Sequence, residues 1–387
     1  MIKILILIDS STEFSRRFLS GLARYANENG PWAFYRIPQY YITLYGEVGI
    51  LERIKAWHID AVISQWEFED TSFLNNLDIP VFLQGYKDSS ENFSKIVGDY
   101  VGPAKMAAQF FAKRRFKNFA FYGNKNFYWS KARAEAFRQE VEKLKGNYFF
   151  LETESLNDMQ WGNSHILLND WLTNLPKPVG LFACDDNFAL QVSEMCKIND
   201  ITIPGEISLL GLDNDELLCN LSFPSISSIV TDDENGGYET GKNIHMQISS
   251  KVNVPFYINI KPIQIKLRLS TEGYGISDKY ISDTLRFIDE NIYTNITIDQ
   301  LTSIVPMSRR NLEKKFRDTM GKSIHQFILD KKVESIIDEL INTEKSLLEI
   351  AMDLGFTDVR NAYRIFKEKT GYTPMDYRKK FSPNHPK

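Results

Sequence analysis

The sequence predicts a two-lobed α/β domain over residues 1–270, followed by an all-α domain over residues 278–387. Three observations lead there. Short apolar runs alternate with amphipathic segments through the first two thirds of the chain, the pattern turns wholly helical after Ser277-Asp278, and the helical part repeats itself at an offset of 50 residues. A length of 387 residues suits two or three domains. With 43% apolar, 13% aromatic and 25% charged residues the composition is that of a globular protein, which excludes a disordered or collagen-like chain.

The elements follow in order. Ile4–Ile8 reads as a strand and Phe14–Glu28 as a helix; Lys3 interrupts the N-terminal apolar run and Asp9 ends it, so it is a strand of a cytoplasmic protein rather than an export signal. Ala61–Ile63, Val81–Leu83, Phe119–Tyr122, Val179–Ala183 and Ile207–Gly211 continue the strands, with helices near 99–113, 130–144, 163–173 and 186–198. Continuous apolar strands separated by helices imply parallel sheets covered on both faces, here divided between two lobes with a cleft. Lys266–Leu269 alternates like a last strand, and the turn-rich 271–277 reads as a linker. No stretch approaches the roughly 18 apolar residues of a membrane helix, so no membrane partner is expected.

In parallel sheets ligands collect at the carboxyl ends of strands. Asp9, Ser10 and Ser11 follow the first strand, Gln65 and Trp66 the 61–63 strand, Asp185 and Asp186 the 179–183 strand, and Asp213 and Asn214 the 207–211 strand. Carboxylates accept hydroxyl hydrogens and an aromatic face covers C–H surface, which is what a sugar requires. A single Asp at such a position more often only caps the next helix, and Asp186 is the first candidate for that role. Asp232-Asp233-Glu234 reads as a solvated loop. Catalytic and cofactor chemistry have little support. His58, His165, His245, His325 and His385 are scattered without metal-ligand spacing, Cys184, Cys196 and Cys219 form no CxxC, and no GxGxxG or P-loop is present. Reduced thiols, no metal, no cofactor and no enzyme are expected; the rival class is an enzyme acting on a sugar.

Phe182–Leu190, Ile203–Asn214 and Ser225–Ile229 resemble the effector domain of lactose/galactose-repressor-type proteins, whose fold is that of periplasmic sugar-binding proteins. The resemblance implies a monosaccharide site in which an Arg following the central strand grips the sugar. Phe121-Tyr122-Gly123 and Trp129–Arg133 match that element, so the role falls to Arg133, with Asp185 and Asp213 as carboxylate partners and Trp129 and Trp66 as stacking surfaces. Those repressors carry a DNA-binding headpiece before this domain; here strand one comes first, which places any DNA reader elsewhere.

The C-terminal segment supplies one. Ser308–Gly321 aligns without gaps on Asp358–Gly371, with Arg310/Arg360, Asn311/Asn361, Phe316/Phe366 and Gly321/Gly371 identical. Each copy opens on a capping residue, ends at a glycine suited to the left-handed C′ position, and is preceded by a short helix at 298–304 or 348–354. These are two helix-turn-helix units, about 297–321 and 347–371. Leu312 and Phe316, and Ala362 and Phe366, are spaced to face the core, which leaves Arg309, Arg310, Asn311, Lys314 and Arg317 outward in the first copy. Arg360, Asn361, Arg364 and Lys367 face outward in the second. Arg pairs bidentately with guanine, Asn with adenine, and outer Lys and Arg with phosphates. Segment 278–387 has 19 basic and 17 acidic residues, net +2, against 27 and 33, net −6, for the remainder. An apolar-patterned helix, Ile324–Leu340, links the copies. About 20 helical residues span about 30 Å, close to the ~34 Å repeat of the major groove.

Ala351–Phe356 followed by Phe366–Arg378 resembles the arabinose-regulator-type family of activators, with departures at Lys332, Ile336 and Asn361–Arg364. A repressor-like sugar domain ahead of such a reader resembles activators of pentose-utilisation genes. That implies a homodimeric regulator binding double-stranded DNA and RNA polymerase, with D-xylose as effector and L-arabinose or D-ribose as alternatives.

Overall fold

A computed structural model describes residues 1–37, 39–65, 73–74, 77–84, 93–153, 161–250 and 254–381. The chain forms two compact units, Met1–Thr271 and Glu272–Lys387.

The first unit begins with β1 (Ile2–Leu7), α1 (Glu13–Asn29), β2 (Trp32–Arg36), α2 (Gln39–Trp57), β3 (Ala61–Ser64), β4 (Val81–Gln84) and β5 (Ser94–Gly98). It continues through α3 (Val101–Lys113), β6 (Asn118–Asn124), α4 (Tyr128–Lys143), β7 (Asn147–Thr153), α5 (Trp161–Asn174), β8 (Val179–Ala183), α6 (Asp186–Ile198), β9 (Ile207–Leu212), α7 (Glu216–Leu221) and β10 (Ser227–Thr231). Helix α8 (Asp233–Ser250) and strands β11 (Tyr257–Ile260) and β12 (Pro262–Lys266) complete it. One sheet has the order β11-β5-β4-β3-β1-β2 and the other β12-β10-β9-β8-β6-β7. Every pairing is parallel except β12 against β10.

The apolar runs are explained by two-sided burial. Leu5 and Leu7 pack with Ile50, Ile54, Val62 and Leu83 on one face of the first sheet, whereas Ile4 and Ile6 meet Phe18, Leu22, Ile63, Phe82 and Ile244 on the other. In the second sheet Phe119, Phe121, Leu181, Phe182, Leu209 and Leu210 belong to one core with Phe111, Phe137, Val192 and Leu172. Strands β2 and β7 had no such signature. They are sheet edges with mostly half-exposed residues, so their sequences stay mixed.

The chain passes between the lobes three times: after β5, after β10, and between β11 and β12. The passages are bonded side by side. Asp99 N donates to Ile260 O at 2.8 Å and Asp232 N to Lys261 O at 2.9 Å. Around them three expectations change. Asp232-Asp233-Glu234 is no solvated loop, because Asp233 opens α8 and is fully buried. The last strand is Pro262–Lys266, and Leu269–Thr271 forms a single 3-10 turn. Thr271, placed by the sequence in a linker, is buried with its hydroxyl 2.7 Å from that of Ser227, while Ser270 Oγ donates to Leu209 O at 2.6 Å.

Helices α1 and α8 touch backbone to backbone. A Cβ on Gly237 would lie 1.8 Å from Phe18 O, and one on Gly21 would lie 1.7 Å from Glu234 O. Only glycine permits that approach. Arg24 with Glu234 (2.5 Å) and Tyr238 with Glu28 (2.7 Å) close its rim.

The second unit contains α9 (Lys279–Glu290), α10 (Ile298–Ile304), α11 (Arg309–Met320), α12 (Ile324–Asn342), α13 (Leu347–Asp353), α14 (Val359–Thr370) and α15 (Pro374–Phe381). Both long reading helices have the ends the sequence indicated. Ser308 accepts from Asn311 N and Asp358 from Arg360 N, and Gly321 and Gly371 are left-handed at φ 71° and 77°. Tyr274, expected in the linker, is buried in this unit's core.

Gly237→Ala is expected to force α1 and α8 apart, a backbone clash that costs about 3 kcal/mol or more. Differential scanning calorimetry of the full chain checks it. The first unit's transition should fall by roughly 6–12 °C.

Candidate ligand cleft and DNA interface

The carboxyl ends of strands from both lobes open on one cleft of about 620 Å³, counting its open mouth. Thr12, Phe14, Gln65, Gln84, Ile96, Gly98 and Tyr100 line it from the first lobe and the passage after β5. Trp129, Arg133, Asp185 and Asp213 line it from the second lobe.

Arg133 is held from three sides. Its Nη1 donates to Cys184 O at 2.7 Å, and the guanidinium lies 4.9 Å from the Trp129 ring centre and 5.8 Å from that of Tyr100. Trp129 in turn stacks on Phe127 at 5.0 Å and 11°. A cation over aromatic faces keeps its charge while losing freedom to swing. Among the described residues its Nε is buried without a hydrogen-bond partner, as are Gln65 Oε1 and Gln84 Oε1. Buried polar atoms are usually bonded, so these three mark where a polar ligand would be gripped.

Two carboxylates complete the wall. Asp185 caps α6 by accepting from Phe188 N at 2.9 Å. Burial, reinforced by Asp213, pushes its carboxyl up to about 6. Asp213 stands on a left-handed backbone at φ 93°, which turns it off the end of β9. Burial raises it too, against the pull of Arg133. Among the described residues its side chain accepts no hydrogen bond. The capping role expected for Asp186 thus belongs to Asp185. Asp186 is fully buried, accepts from Ser228 Oγ at 2.6 Å and Asp215 N at 2.7 Å, and stitches β10 to the turn before α7.

The structure brings together Trp129, Arg133, Asp185 and Asp213. It does not bring Asp9 and Ser10 to the cleft. The Asp9 carboxylate folds back on Ser11, accepting from N at 2.9 Å and Oγ at 2.6 Å, and Thr12 and Phe14 line the wall instead. Trp66 lies outside the described residues. Sequence reasoning missed Gln84 and Tyr100. Gln84 ends a strand whose apolar run was recognised, so the rule of carboxyl ends reached it; Tyr100 lies in a passage between lobes and carried no signal. At the rim Arg16 of α1 pairs with Asp215, the N-cap of α7, at 2.8 Å and so bonds one lobe to the other.

In the second unit Leu312, Phe316, Ala362 and Phe366 are fully buried. Arg309, Arg310, Asn311, Lys314 and Arg317 on α11, and Arg360, Asn361, Arg364 and Lys367 on α14, are all exposed. The two faces differ in pairing. Among the described residues Arg310, Lys314, Arg317 and Lys367 have no acidic partner. Arg309 pairs with Glu313 (3.0 Å), Arg360 with Asp358 (2.8 Å) and Arg364 with Glu368 (2.9 Å), and Arg364 also donates to Asn361 Oδ1 (3.0 Å). No group of ligating side chains suited to a metal occurs among the described residues, nor a helix long and apolar enough to cross a membrane.

A two-lobed ligand cleft carried on the same chain as a duplicated basic helix-turn-helix defines a ligand-responsive DNA-binding regulator. Residues 108–271 match a periplasmic binding protein-like domain and residues 301–380 a helix-turn-helix domain. The regulatory protein SoxS of Escherichia coli is 31% identical over 100 residues, 26% of this chain and 94% of its own. The chain belongs to the helix-turn-helix transcription regulators of the arabinose-regulator type. Over nearly its whole length it is similar to the xylose operon regulatory proteins. That of Haemophilus influenzae is 27% identical over 97% of this chain and 98% of its own, and that of E. coli K12 is 28% identical over 97% and 96%. The solved structure of the xylose-binding transcription activator xylR has the same fold, with a TM-score of 0.62 at 24% identity over 98% of each chain.

Lys314→Ala is expected to weaken duplex binding uniformly across sequences and reduce the salt slope by about 1, whereas Arg310→Ala should relax base preference at one position. Fluorescence anisotropy at several salt concentrations separates the two.

Proposed function

We propose that this chain is a transcription activator of pentose-utilisation genes with D-xylose as its effector. In this reading residues 1–271 are the effector domain and residues 272–387 the DNA reader. The protein is cytoplasmic, works as a homodimer and engages RNA polymerase, and it binds its sugar without turning it over. The effector is drawn from the relatives' function; the regulators at 27–28% identity match end to end rather than in one domain.

The observation that carries the reading is the arrangement around Arg133. One fixed guanidinium, two carboxylates and two glutamines meet in one cleft between aromatic rings. A monosaccharide offers hydroxyl hydrogens to Asp185 and Asp213, ring and hydroxyl oxygens to Arg133, and C–H surface to Trp129. Because Gln65 and Gln84 belong to one lobe and Arg133, Asp185 and Asp213 to the other, full satisfaction of a bound sugar requires both lobes. The lobe arrangement is thereby coupled to occupancy, and a coupling of ~1–3 kcal/mol suffices to regulate DNA binding.

A thermal-shift screen across D-xylose, L-arabinose, D-ribose and hexoses tests the assignment, with stabilisation expected for D-xylose and overturned by its absence. Arg133→Ala should abolish that stabilisation while leaving the ligand-free melting temperature within a few degrees.

Proton linkage gives a second check. Hydroxyl donors favour ionised Asp185, whose carboxyl titrates at about 6 without ligand. Binding therefore releases a proton below that pH, and affinity rises as pH increases through 6, then levels. Titration calorimetry at pH 5, 6 and 7 reads the rise, and Asp185→Asn should remove it.

A further inference from the structure

The two helix-turn-helix units do not share a core. Helix α12 gives Ile324, Phe327 and Ile328 to the first unit's cluster and Val333, Ile336 and Leu340 to the second's, and the clusters are separate. Between these halves the helix carries three polar residues in a row, each tied outward. Asp330 pairs with Lys322 at 2.7 Å and with Lys369 of α14 at 2.5 Å. Lys331 pairs with Asp289 of α9 at 3.0 Å. Lys332 is only 6% exposed; its Nζ donates to Leu354 O at 2.6 Å and to Thr294 O at 3.3 Å, and it lies 5.1 Å from the Phe356 ring centre. Leu354 is the C-cap of α13, in the second unit, and Thr294 belongs to the α9–α10 connection, in the first.

We propose that Lys332 is a positioning residue that fixes the angular register of the two reading helices, binding with one buried ammonium the Leu354 carbonyl of the second helix-turn-helix unit and the Thr294 carbonyl of the loop that leads into the first. The proposal rests on the DNA-reading assignment and adds to it the device that sets the geometry between the readers. Apolar contacts alone tolerate rotation about α12, because dispersion and burial are weakly directional. Hydrogen bonds to two carbonyls are directional, and breaking the one to Leu354 leaves a buried acceptor unpaired. The backbones also meet here. Gly355 is left-handed at φ 69°, and a Cβ on it would lie 3.1–3.3 Å from Thr294 C, Thr294 O and Asn295 N. The second unit's turn is thus seated directly on the first unit's loop, with Lys332 bonded to both.

The test is a distance measurement that needs no DNA. Full-length protein carrying Asp318→Cys and Met375→Cys, both exposed and outside the DNA-facing set, takes nitroxide labels; the native cysteines are buried. Pulsed electron paramagnetic resonance should give one narrow distance distribution in this parent, at least twofold broader with Lys332→Met and of parental width with Lys332→Arg. A parental width in Lys332→Met overturns the proposal. Circular dichroism monitors folding. Should the Met variant lose helix, Lys332→Gln, whose amide is one bond shorter and uncharged and so does not span both carbonyls, replaces it and is expected to broaden the distribution; a parental width there overturns the proposal equally. Binding to duplexes with one or two base pairs inserted between the two sub-sites then connects register to reading. Insertion should cost the parent at least tenfold and the Met variant less than threefold. A parent that binds no duplex refutes the DNA-reading assignment, while the label distances still judge Lys332.

Discussion

Parallel strand direction is the constraint on which the ligand cleft depends. When strands run the same way their carboxyl ends share an edge, and the two six-stranded sheets bring those edges to a common opening. Residues as distant in sequence as Thr12, Gln84, Arg133 and Asp213 then become neighbours without any local signal. The three passages of chain between the lobes, bonded at Asp99–Ile260 and Asp232–Lys261, keep the edges opposed. Strand β12, antiparallel to β10, runs the other way, and it contributes nothing to the cleft.

What could be read from the sequence divides along the same physics. Strands buried on both faces announce themselves as unbroken apolar runs, so β1, β3, β4, β6, β8 and β9 were legible. Edge strands β2 and β7 and passage strand β5 keep polar residues and were not. Arg133, Asp185 and Asp213 were reachable because each follows such a run, directly or through a resemblance. Asp9 follows one too, yet faces Ser11, since position at a strand end does not specify where a short side chain turns. The cap expected at Asp186 falls to Asp185 for a related reason. The capping oxygen belongs to the residue with extended backbone, a one-residue difference that composition cannot resolve. In the helical unit, where periodicity and caps are local, the reading helices and their faces were nearly complete from sequence; the bond network of Lys332 was not, because its partners lie 22 and 38 residues away.

The two reading helices are alike in shape and unlike in electrostatics. Among the described residues Arg310, Lys314 and Arg317 project from α11 without an ion-pair partner, so their charges are free to act on a polyanion. On α14 Arg360 and Arg364 are already engaged by Asp358 and Glu368, and phosphate must compete with those carboxylates. Exposed pairs of this kind are worth at most about 1 kcal/mol, so they do not forbid contact. They do orient the guanidinium before it, and Arg364 donating to Asn361 Oδ1 joins two exposed side chains into one edge.

The cleft is costly to its own protein. Asp185 and Asp213 are both raised by burial, and the buried Asp233 is pushed up to about 7, chiefly by burial, at the head of α8, where the chain leaves one lobe for the other. Carboxyls that are uncomfortable when ionised weaken the ligand-free arrangement near neutral pH, because the folded state prefers them protonated. A hydroxyl-rich ligand relieves Asp185 and Asp213 by donating to them, and can do so fully only while Gln65 and Gln84 from the other lobe are in reach. Differential affinity for one lobe arrangement, the quantity any ligand-controlled regulator requires, then arises from burial that the ligand corrects. The Arg16–Asp215 pair across the rim opposes that cost, since at 2.8 Å it holds α1 and α7 together in the ligand-free arrangement. In the reading proposed above, stability forgone in the empty cleft is what would let occupancy act on the lobes.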